Sequence, residues 1–132
     1  MCLTTNKFQI PKIYFKDIEV YKCMEMEFHS QTESIILWST WYPGKSYYVL
    51  DKLYEIPDRF SLLSDFGFYS FNELSDAKHF LIINNNPLKK LTIVKCIIPK
   101  FSYYISGFQR IAFLDEVLKA RRSKKIIFKE IL

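Results

Sequence analysis

The sequence of 132 residues contains little that would make a chain flexible or cross-linked. It has only three glycines and five prolines, which is too few for a long linker or a disordered tail. Its three cysteines, Cys2, Cys23 and Cys96, form no Cys-x-x-Cys pair and have no histidine at the spacing of a zinc site. We therefore expect a single domain, residues 1–132, with reduced thiols and no bound metal.

Segments that direct a chain to a membrane are also missing. The N-terminal stretch "MCLTTNKFQIPKIYF" lacks the continuous apolar run of a secretory signal. No other run approaches the roughly 18 apolar residues that a membrane helix requires. These absences predict a cytoplasmic protein with no membrane partner.

The sequence shows no local signature of catalysis. It contains no P-loop, no GxGxxG, no GxSxG and no HExxH motif. The two histidines, His29 and His79, lie in no recognisable motif. This pattern favours a protein that acts by binding, without a cofactor.

The sequence is rich in basic and in aromatic residues. The balance of 19 basic and 14 acidic side chains gives 19 − 14 = +5, which attracts anionic partners. The aromatic share is 17%, which is high for a soluble domain. Tyrosine and tryptophan either stack on bases or pack within sheets. The aromatic residues in question surround Pro43-Gly44 or come later in the chain: Trp38, Trp41, Tyr42, Tyr47, Tyr48, Tyr103 and Tyr104.

Several segments have the patterns of strands. "IEVYKCMEMEF", residues 18–28, alternates between apolar and acidic positions and is interrupted only by Lys22. "LTIVKCII", residues 91–98, is apolar on both faces, as in the middle of a sheet. "SIILWSTWY" and "KSYYVLDKLYEI" flank the Pro43-Gly44 turn and predict a hairpin, and "KKIIFKEIL" predicts a closing strand.

One helix is predicted, at about residues 73–83, after the corner "GFYSFNELSDAKHF". Asn72 is a candidate N-cap, and Ser70 with Glu73 fits a capping box. We expect Gly67 to let the backbone turn, and Tyr69 and Ser70 to face a cleft. The fold is predicted to be α+β, with a bent, mostly antiparallel sheet of five or six strands and this helix packed on it.

A basic run, "KARRSKK", follows an ambiguous segment. Residues 111–120 fit a helical stripe or an extended segment about equally well. The basic run itself could contact the phosphates of a nucleic acid or form a solvated turn before the last strand. Its members are Lys119, Arg121, Arg122, Lys124 and Lys125.

The motifs "DIEVYKC", "GFYSFNELSDAKHF" and "IVKCIIPKFSYYISG", with the final "EIL", resemble a group of small uncharacterised proteins from bacteria and their phages. Members of that group typically carry "DIxVYK", "G(F/L)HSFxxLxDAK" and "VKCxIPKGSxYYxG". This sequence departs from the pattern at Tyr69, where the group has histidine, at Phe101, where it has glycine, and at Phe113, where it has serine.

The order of these motifs is also similar to that of small ADP-ribosyltransferase-like folds. That resemblance implies a site for NAD, with the first motif near Tyr21 or Lys22 and the middle motif on Tyr69 and Ser70. The late catalytic glutamate would be Glu116 or Glu130. NAD is expected as a cofactor only under this alternative.

The function predicted first is therefore that of a small non-catalytic accessory protein of phage or mobile-element type. It would bind a protein, a nucleotide or another anionic ligand, with nucleic acid as a further option, and it could interfere with a host defence system. The candidate ligand-binding residues are Lys22, Tyr69, Ser70, Tyr103 and Tyr104. One alternative is an NAD-using enzyme in which Tyr69 and Glu130 are catalytic, and another is a structural homo-oligomer that associates through the aromatic hairpin.

Overall fold

The computed structural model describes residues 11–29, 34–39, 47–56, 67–83, 90–111 and 116–132. These residues form one antiparallel sheet with a single helix. The elements are β1 (Lys12–Ile13), β2 (Ile18–His29), β3 (Ser34–Ser39), β4 (Tyr47–Tyr48), β5 (Leu53–Glu55), β6 (Phe68–Phe71), α1 (Leu74–Ile83), β7 (Leu91–Ile98), β8 (Tyr103–Ile111), β9 (Glu116–Ser123) and β10 (Lys125–Ile131).

Eight of the strands follow one another in the order β1-β8-β9-β6-β2-β7-β10-β5, and β3 and β4 branch from β2. The prediction of an α+β fold with a mostly antiparallel sheet is thus confirmed for the described residues. The described residues form more strands than the five or six that were predicted. The sequence patterns did not indicate β1 or β8 and gave β9 only as the extended alternative for residues 111–120; these three strands together build one end of the sheet.

The three strands with the clearest sequence patterns form the middle of the sheet. β2 pairs with β7 from Ile18↔Ile98 to Glu25↔Leu91, and β7 pairs with β10 on its other side. β7 therefore has neighbours at both edges, and both of its faces are packed, since Val94 and Cys96 belong to one core cluster and Ile93 belongs to another. Burial on both sides explains its apolar residues on both faces. The predictions of strands at 18–28, 91–98 and the final segment are confirmed.

The sheet bends sharply because β9 and β10 are joined by the single residue Lys124. These two strands are consecutive in the chain but are separated in the sheet by β6, β2 and β7. The backbone N–H of Lys124 donates to the oxygen of Tyr103 at 2.9 Å, and its oxygen accepts from the N–H of Ile56 at 3.0 Å. One continuous stretch of chain thus contributes to both halves of the sheet.

The helix begins at Leu74 and is described to Ile83, close to the predicted limits. Its first backbone hydrogen bond runs from Ala77 N to Glu73 O at 3.2 Å, which makes Glu73 the capping position. The predicted caps are wrong, since the side-chain oxygens of Asn72 and Ser70 are buried without a hydrogen-bond partner. Residues 84–89, which follow the helix, lie outside the described residues.

Apolar side chains pack on the two faces of the sheet. On the concave face they form one cluster, and between the opposite face and the helix they form a second, to which Ala77 and Phe80 contribute from the helix. The first cluster consists of Val20, Met24, Leu37, Phe68, Val94, Cys96, Ile98, Tyr104, Ile126 and Phe128. The second consists of Cys23, Phe71, Ala77, Phe80, Ile93, Leu118 and Ala120.

The ambiguous segment before the basic run is extended wherever it is described. β8 continues to Ile111, and β9 begins at Glu116 and runs antiparallel to it, from Ile111↔Glu116 to Tyr104↔Ser123. The helical interpretation of residues 111–120 is therefore wrong for residues 116–120, and the extended alternative is correct there. β3 and β4 are antiparallel, as the hairpin prediction requires, but the Pro43-Gly44 turn lies outside the described residues.

Candidate functional site

A row of polar side chains crosses four neighbouring strands on the concave face of the sheet. The registers pair Ser70 on β6 with Arg121 on β9, and Arg121 with Ser106 on β8. β2 pairs with β6 at Tyr21↔Phe71, so the next position of each strand sets Lys22 opposite Ser70. Since adjacent strands lie about 4.8 Å apart, the four residues Lys22, Ser70, Arg121 and Ser106 form one continuous line, here called the polar row.

Buried polar atoms without a hydrogen-bond partner lie on or next to these strands. Among the described residues they are Ser70 Oγ, Asn72 Oδ1, Ser102 Oγ and Arg121 Nε. Strand alternation places Ser70 and Arg121 on the side of the sheet that carries Phe68 and Tyr104, while Asn72 directly follows β6 and Ser102 directly precedes β8. Most buried polar groups in proteins are hydrogen-bonded, so these exceptions mark the region as a place where a ligand can supply missing partners.

Lys22 supplies a buried positive charge at one end of the polar row. Its side chain is 8% exposed, and its Nζ donates to the backbone oxygen of Tyr69 at 2.7 Å. Burial lowers the pKa of Lys22 to about 8, an effect that the nearby thiols of Cys96 and Cys23 partly oppose. Burial raises the pKa of each of these two free thiols to about 12. Of these three groups, the amine of Lys22 has the pKa closest to neutral pH.

A pocket of about 170 Å³ lies beside the polar row, and the described residues that line it are Asn72, Ser106, Gly107, Phe108 and Lys119. The register Phe108↔Lys119, together with the hydrogen bond from Asn72 N to Lys119 O at 3.3 Å, sets three of these residues side by side on β8, β9 and the end of β6. We call Asn72, Lys119 and Phe108 the pocket row. It lies one side-chain repeat along the strands from the polar row.

The five cations of the basic run do not form one patch, because they lie on a strand and a bend. Lys119 and Arg121 point to the concave face, where the Arg121 guanidinium lies over the ring of Tyr104 at 5.5 Å. Arg122 is 3% exposed and points to the opposite face. Beyond Ser123 the side chain of Lys124 pairs with Glu55 at 3.6 Å, and Lys125 opens β10. The predicted run thus contributes two of its five side chains to the candidate site.

The two residues of the glycine corner point in opposite directions. Ser70 joins the polar row, whereas Tyr69, which is 5% exposed, faces the other side of the sheet with its pairing partner Arg122. Successive residues of a strand alternate between faces, so the expectation that both side chains enter one cleft is not met. Gly67 has a φ of 152°, as expected for a glycine that lets the backbone turn.

The two tyrosines proposed at the start of β8 are also separated by strand alternation. Tyr104 is buried on the concave face, next to the polar row, and pairs with Ser123. Tyr103 is 45% exposed and pairs with Ile13 of the edge strand β1. Of the predicted ligand-binding residues, the concave face therefore brings together Lys22, Ser70 and Tyr104.

The residues that the NAD alternative assigns to one site are not brought together. Lys22 and Tyr69 have side chains on opposite faces of the sheet. Glu130 is an exposed residue on β10, where it pairs with Lys95 of β7. In the sheet, β2 and β7 lie between β10 and β6. Glu116 begins β9 at the far end of the strand from Ser123, and its side chain lies outside the described part of the structure.

The aromatic hairpin is described only in part. Residues 40–46, with Trp41 and Tyr42, lie outside the described residues, as do the side chains of Trp38 and Tyr47. The half-buried ring of Tyr48 packs 4.9 Å from Tyr54 and 5.0 Å from Phe128, measured between ring centroids. Tyr48 is thus part of the core and not of an exposed platform.

Comparison with known proteins adds no relative: no protein-family model, no curated protein and no solved structure matches the chain. In the described ranges, the helix is too short to span a bilayer. The same ranges contain no group of three or more His, Cys, Asp or Glu residues placed to hold a metal ion.

Sequence reasoning missed the residues that complete the site, namely Asn72, Ser106 and Phe108. Asn72 was assigned to a helix cap, and no strand was predicted at β8. A usable signal was present, since Tyr104, Ser106 and Phe108 alternate with Ile105 and Gly107, as Lys119, Arg121 and Ser123 alternate with Ala120 and Arg122. Two adjacent segments with period two form a hairpin readily when turn residues separate them, but no Gly or Pro lies between these segments.

Proposed function

We propose that this protein is a binding module that holds an anionic ligand against the polar row and in the adjoining pocket, without catalysing a reaction. The observation that carries the proposal is the coincidence of unpartnered buried polar atoms with cations on one face. Ser70 Oγ and Arg121 Nε belong to the polar row, and Asn72 Oδ1 belongs to the pocket row. Ser70 Oγ and Arg121 Nε can donate to an anionic group, whereas Asn72 Oδ1 is an acceptor and needs a donor on another part of the ligand.

Energetics supports this interpretation. A buried polar atom without a partner costs about 1–3 kcal/mol of stability, and replacing its side chain by an apolar one of similar size removes that cost. Three such atoms within neighbouring strands are expensive for a domain whose total stability is about 5–15 kcal/mol. Departures from local consistency of this kind are expected where a protein binds something.

The charge of the face favours an anion. Lys22 and Arg121 lie in the polar row, and Lys119, which is exposed, stands in the pocket row. The positions of β2, β6, β8 and β9 that share this face hold no Asp or Glu, because the acidic residues of β2 are on its other face. Charge-assisted hydrogen bonds from Arg and Lys to phosphate or carboxylate are about twice as strong as neutral ones.

The same inventory supports binding in preference to catalysis. The two rows offer hydroxyl, amide, ammonium and guanidinium groups but no imidazole or carboxylate, and the amine with a lowered pKa, that of Lys22, is buried and already donates to the backbone oxygen of Tyr69. The resemblance to small bacterial and phage proteins adds that such a module is an accessory protein of phage or mobile-element type. Its cytoplasmic location belongs to the same proposal.

A thermal-shift experiment tests the proposal, since a ligand that binds only the folded state raises the melting temperature. The full chain is screened against inorganic phosphate, sulfate, mononucleotides, cyclic nucleotides, NAD and short oligonucleotides. At least one anion should raise the melting temperature of the wild type, and Arg121→Gln should weaken its binding by about 10- to 100-fold, the worth of a hydrogen bond to a charged group.

Lys129→Gln is the matched control, because Lys129 is an exposed cation on β10 that pairs with Asp51 at 3.2 Å and belongs neither to the polar row nor to the pocket lining. It should leave binding unchanged. No shift with any anion would contradict the proposal and favour a protein partner. An equal loss in the Arg121 and Lys129 variants would show that only net charge matters.

A further inference from the structure

The wall of the pocket carries an exposed aromatic ring next to the anion-binding groups. Phe108 is 47% exposed and lines the pocket together with Ser106, Lys119 and Asn72. Of the other aromatic side chains on the concave face, Phe68, Tyr104 and Phe128 are buried in the core, whereas Phe28 near the end of β2 is 62% exposed. A phenylalanine that lines a polar pocket and stays half exposed offers a surface for a flat, apolar part of a ligand.

The spacing of the strand relates this ring to the polar row. Ser106 and Phe108 are two residues apart on β8 and point to the same face, so their Cα atoms are separated by roughly 6.8 Å. Ser106 pairs directly with Arg121, and Phe108 pairs directly with Lys119. Ser106 and Lys119 both line the pocket. An anionic group at Ser106 therefore lies about one side-chain repeat from the ring of Phe108, a distance comparable to that between the phosphate and the base across a single ribose.

The size of the pocket restricts the ligand further. At about 170 Å³ it is smaller than the roughly 300–1,000 Å³ of pockets that enclose drug-sized molecules. It has room for one ring system but does not enclose a dinucleotide. Asn72 places its amide at the opposite wall, where it can bond to the polar edge of a base, as amide side chains do in other proteins.

From this geometry we infer that the anionic ligand is a nucleoside monophosphate. Its base stacks on Phe108 and contacts Asn72, and its phosphate is held by Lys119 and Ser106, with Arg121 next to Ser106 in the polar row. The inference rests on the proposed function, because it specifies the chemistry of the ligand at the same site. It adds a requirement that simple anion binding lacks, which is recognition of the base.

Isothermal titration calorimetry on the full chain separates the two claims. The titrants are inorganic phosphate, ribose 5-phosphate, the nucleoside monophosphates and adenosine. At least one nucleoside monophosphate should bind at least about tenfold more tightly than ribose 5-phosphate, which is the gain expected from stacking one base on an aromatic ring. Phe108→Leu should remove this gain and leave the affinity for ribose 5-phosphate unchanged, while Phe108→Tyr should preserve it.

Phe101→Leu is the control, since Phe101 is another exposed phenylalanine, located in the turn before β8 and absent from the pocket lining. Circular dichroism confirms that each variant is folded. If ribose 5-phosphate binds as tightly as every nucleoside monophosphate, the inference is overturned and the proposed function stands. If none of the phosphates binds, both fail. A loss of nucleotide binding that is equal in the Phe101 and Phe108 variants also overturns the inference.

Discussion

The ammonium group of Lys22 donates a hydrogen bond to the backbone oxygen of Tyr69 at 2.7 Å, across the boundary between β2 and β6. This bond fixes a charged side chain on a face that it shares with Val20 and Met24, which are fully buried. Sequence periodicity treats Lys22 as an interruption of an apolar face. The structure shows instead that the lysine continues that face into the polar row.

The lowered pKa of Lys22 makes stability depend on pH. The folded state releases this proton near pH 8, and the unfolded chain releases it near the ordinary value of 10.5. Between these values the unfolded state binds more protons, so the Lys22 contribution to the free energy of unfolding rises with pH. From pH 8 to pH 9.5 the rise is about 2 kcal/mol.

Lys22→Met should lack this rise. Urea unfolding gives the difference in the free energy of unfolding between wild type and variant at pH 7.5 and at pH 9.5. The change in this difference between the two pH values measures the rise. The thiols of Cys23 and Cys96, whose raised pKa values act in the opposite direction, are present in both proteins and largely cancel. Lys129→Met, at an exposed position, is the control. An identical pH profile for the Lys22 variant and the wild type would contradict the prediction.

Ser70→Ala should make the protein more stable by about 1 kcal/mol, because it removes a buried hydroxyl that has no hydrogen-bond partner. Ser123→Ala is the matched comparison on the same face. Its hydroxyl donates to the backbone oxygen of Phe68 at 3.5 Å, so its removal should lower the free energy of unfolding by roughly 0.5–1 kcal/mol. Chemical denaturation distinguishes the two, and a destabilised Ser70 variant would show that the hydroxyl is satisfied in solution.

Gly67→Ala should destabilise the fold by about 2 kcal/mol or more. A Cβ at this position would lie 2.5 Å from Cγ of Arg122 and 3.2 Å from the backbone oxygen of Ser123, and the φ of 152° is one that side chains rarely adopt. Ser75→Ala, at an exposed helix position, should change stability by less than about 0.5 kcal/mol. Thermal melts of both variants test the prediction, which fails if their melting temperatures agree.

Phe101 has a φ of 64° although it carries a side chain, and the ring is 64% exposed. The turn is held by a hydrogen bond from Phe101 N to Tyr14 O at 2.8 Å. The left-handed conformation costs a residue with a Cβ about 1–2 kcal/mol, and glycine avoids most of this cost. Phe101→Gly should therefore be about 1 kcal/mol more stable than Phe101→Ala. Equal stability of the two variants would argue against a left-handed conformation at this residue in solution.

Local sequence patterns predicted those strands and the helix whose form depends on the burial of one face of the element. The alternation of β2, the two-sided apolar character of β7 and the stripe of Leu74, Ala77 and Leu81 each follow from burial of one element against the rest. The candidate site depends instead on register between segments that are far apart in sequence. Ser70 meets Arg121 only because β9 pairs with β6, and no local pattern contains that information.

The same cause explains the two misassigned polar residues. Ser70 and Asn72 have the spacing and chemistry of helix caps, and their local sequence offers no reason to assign them otherwise. In the folded chain, the helix is capped at Glu73 and both side chains face the polar surface built by β8 and β9. Tertiary pairing thus overrides a local preference at two positions of the candidate site.

The single-residue bend at Lys124 has a consequence for how the chain reaches its final structure. During synthesis, β5, β6, β7 and β8 are all made before the stretch that joins them, since β9 pairs with β6 and β8 while β10 pairs with β5 and β7. Until that stretch emerges from the ribosome, the nascent chain exposes unpaired strand edges. Folding dominated by such distant pairings is slow, so assembly of the sheet should be largely post-translational and the incomplete chain should be a natural client of chaperones.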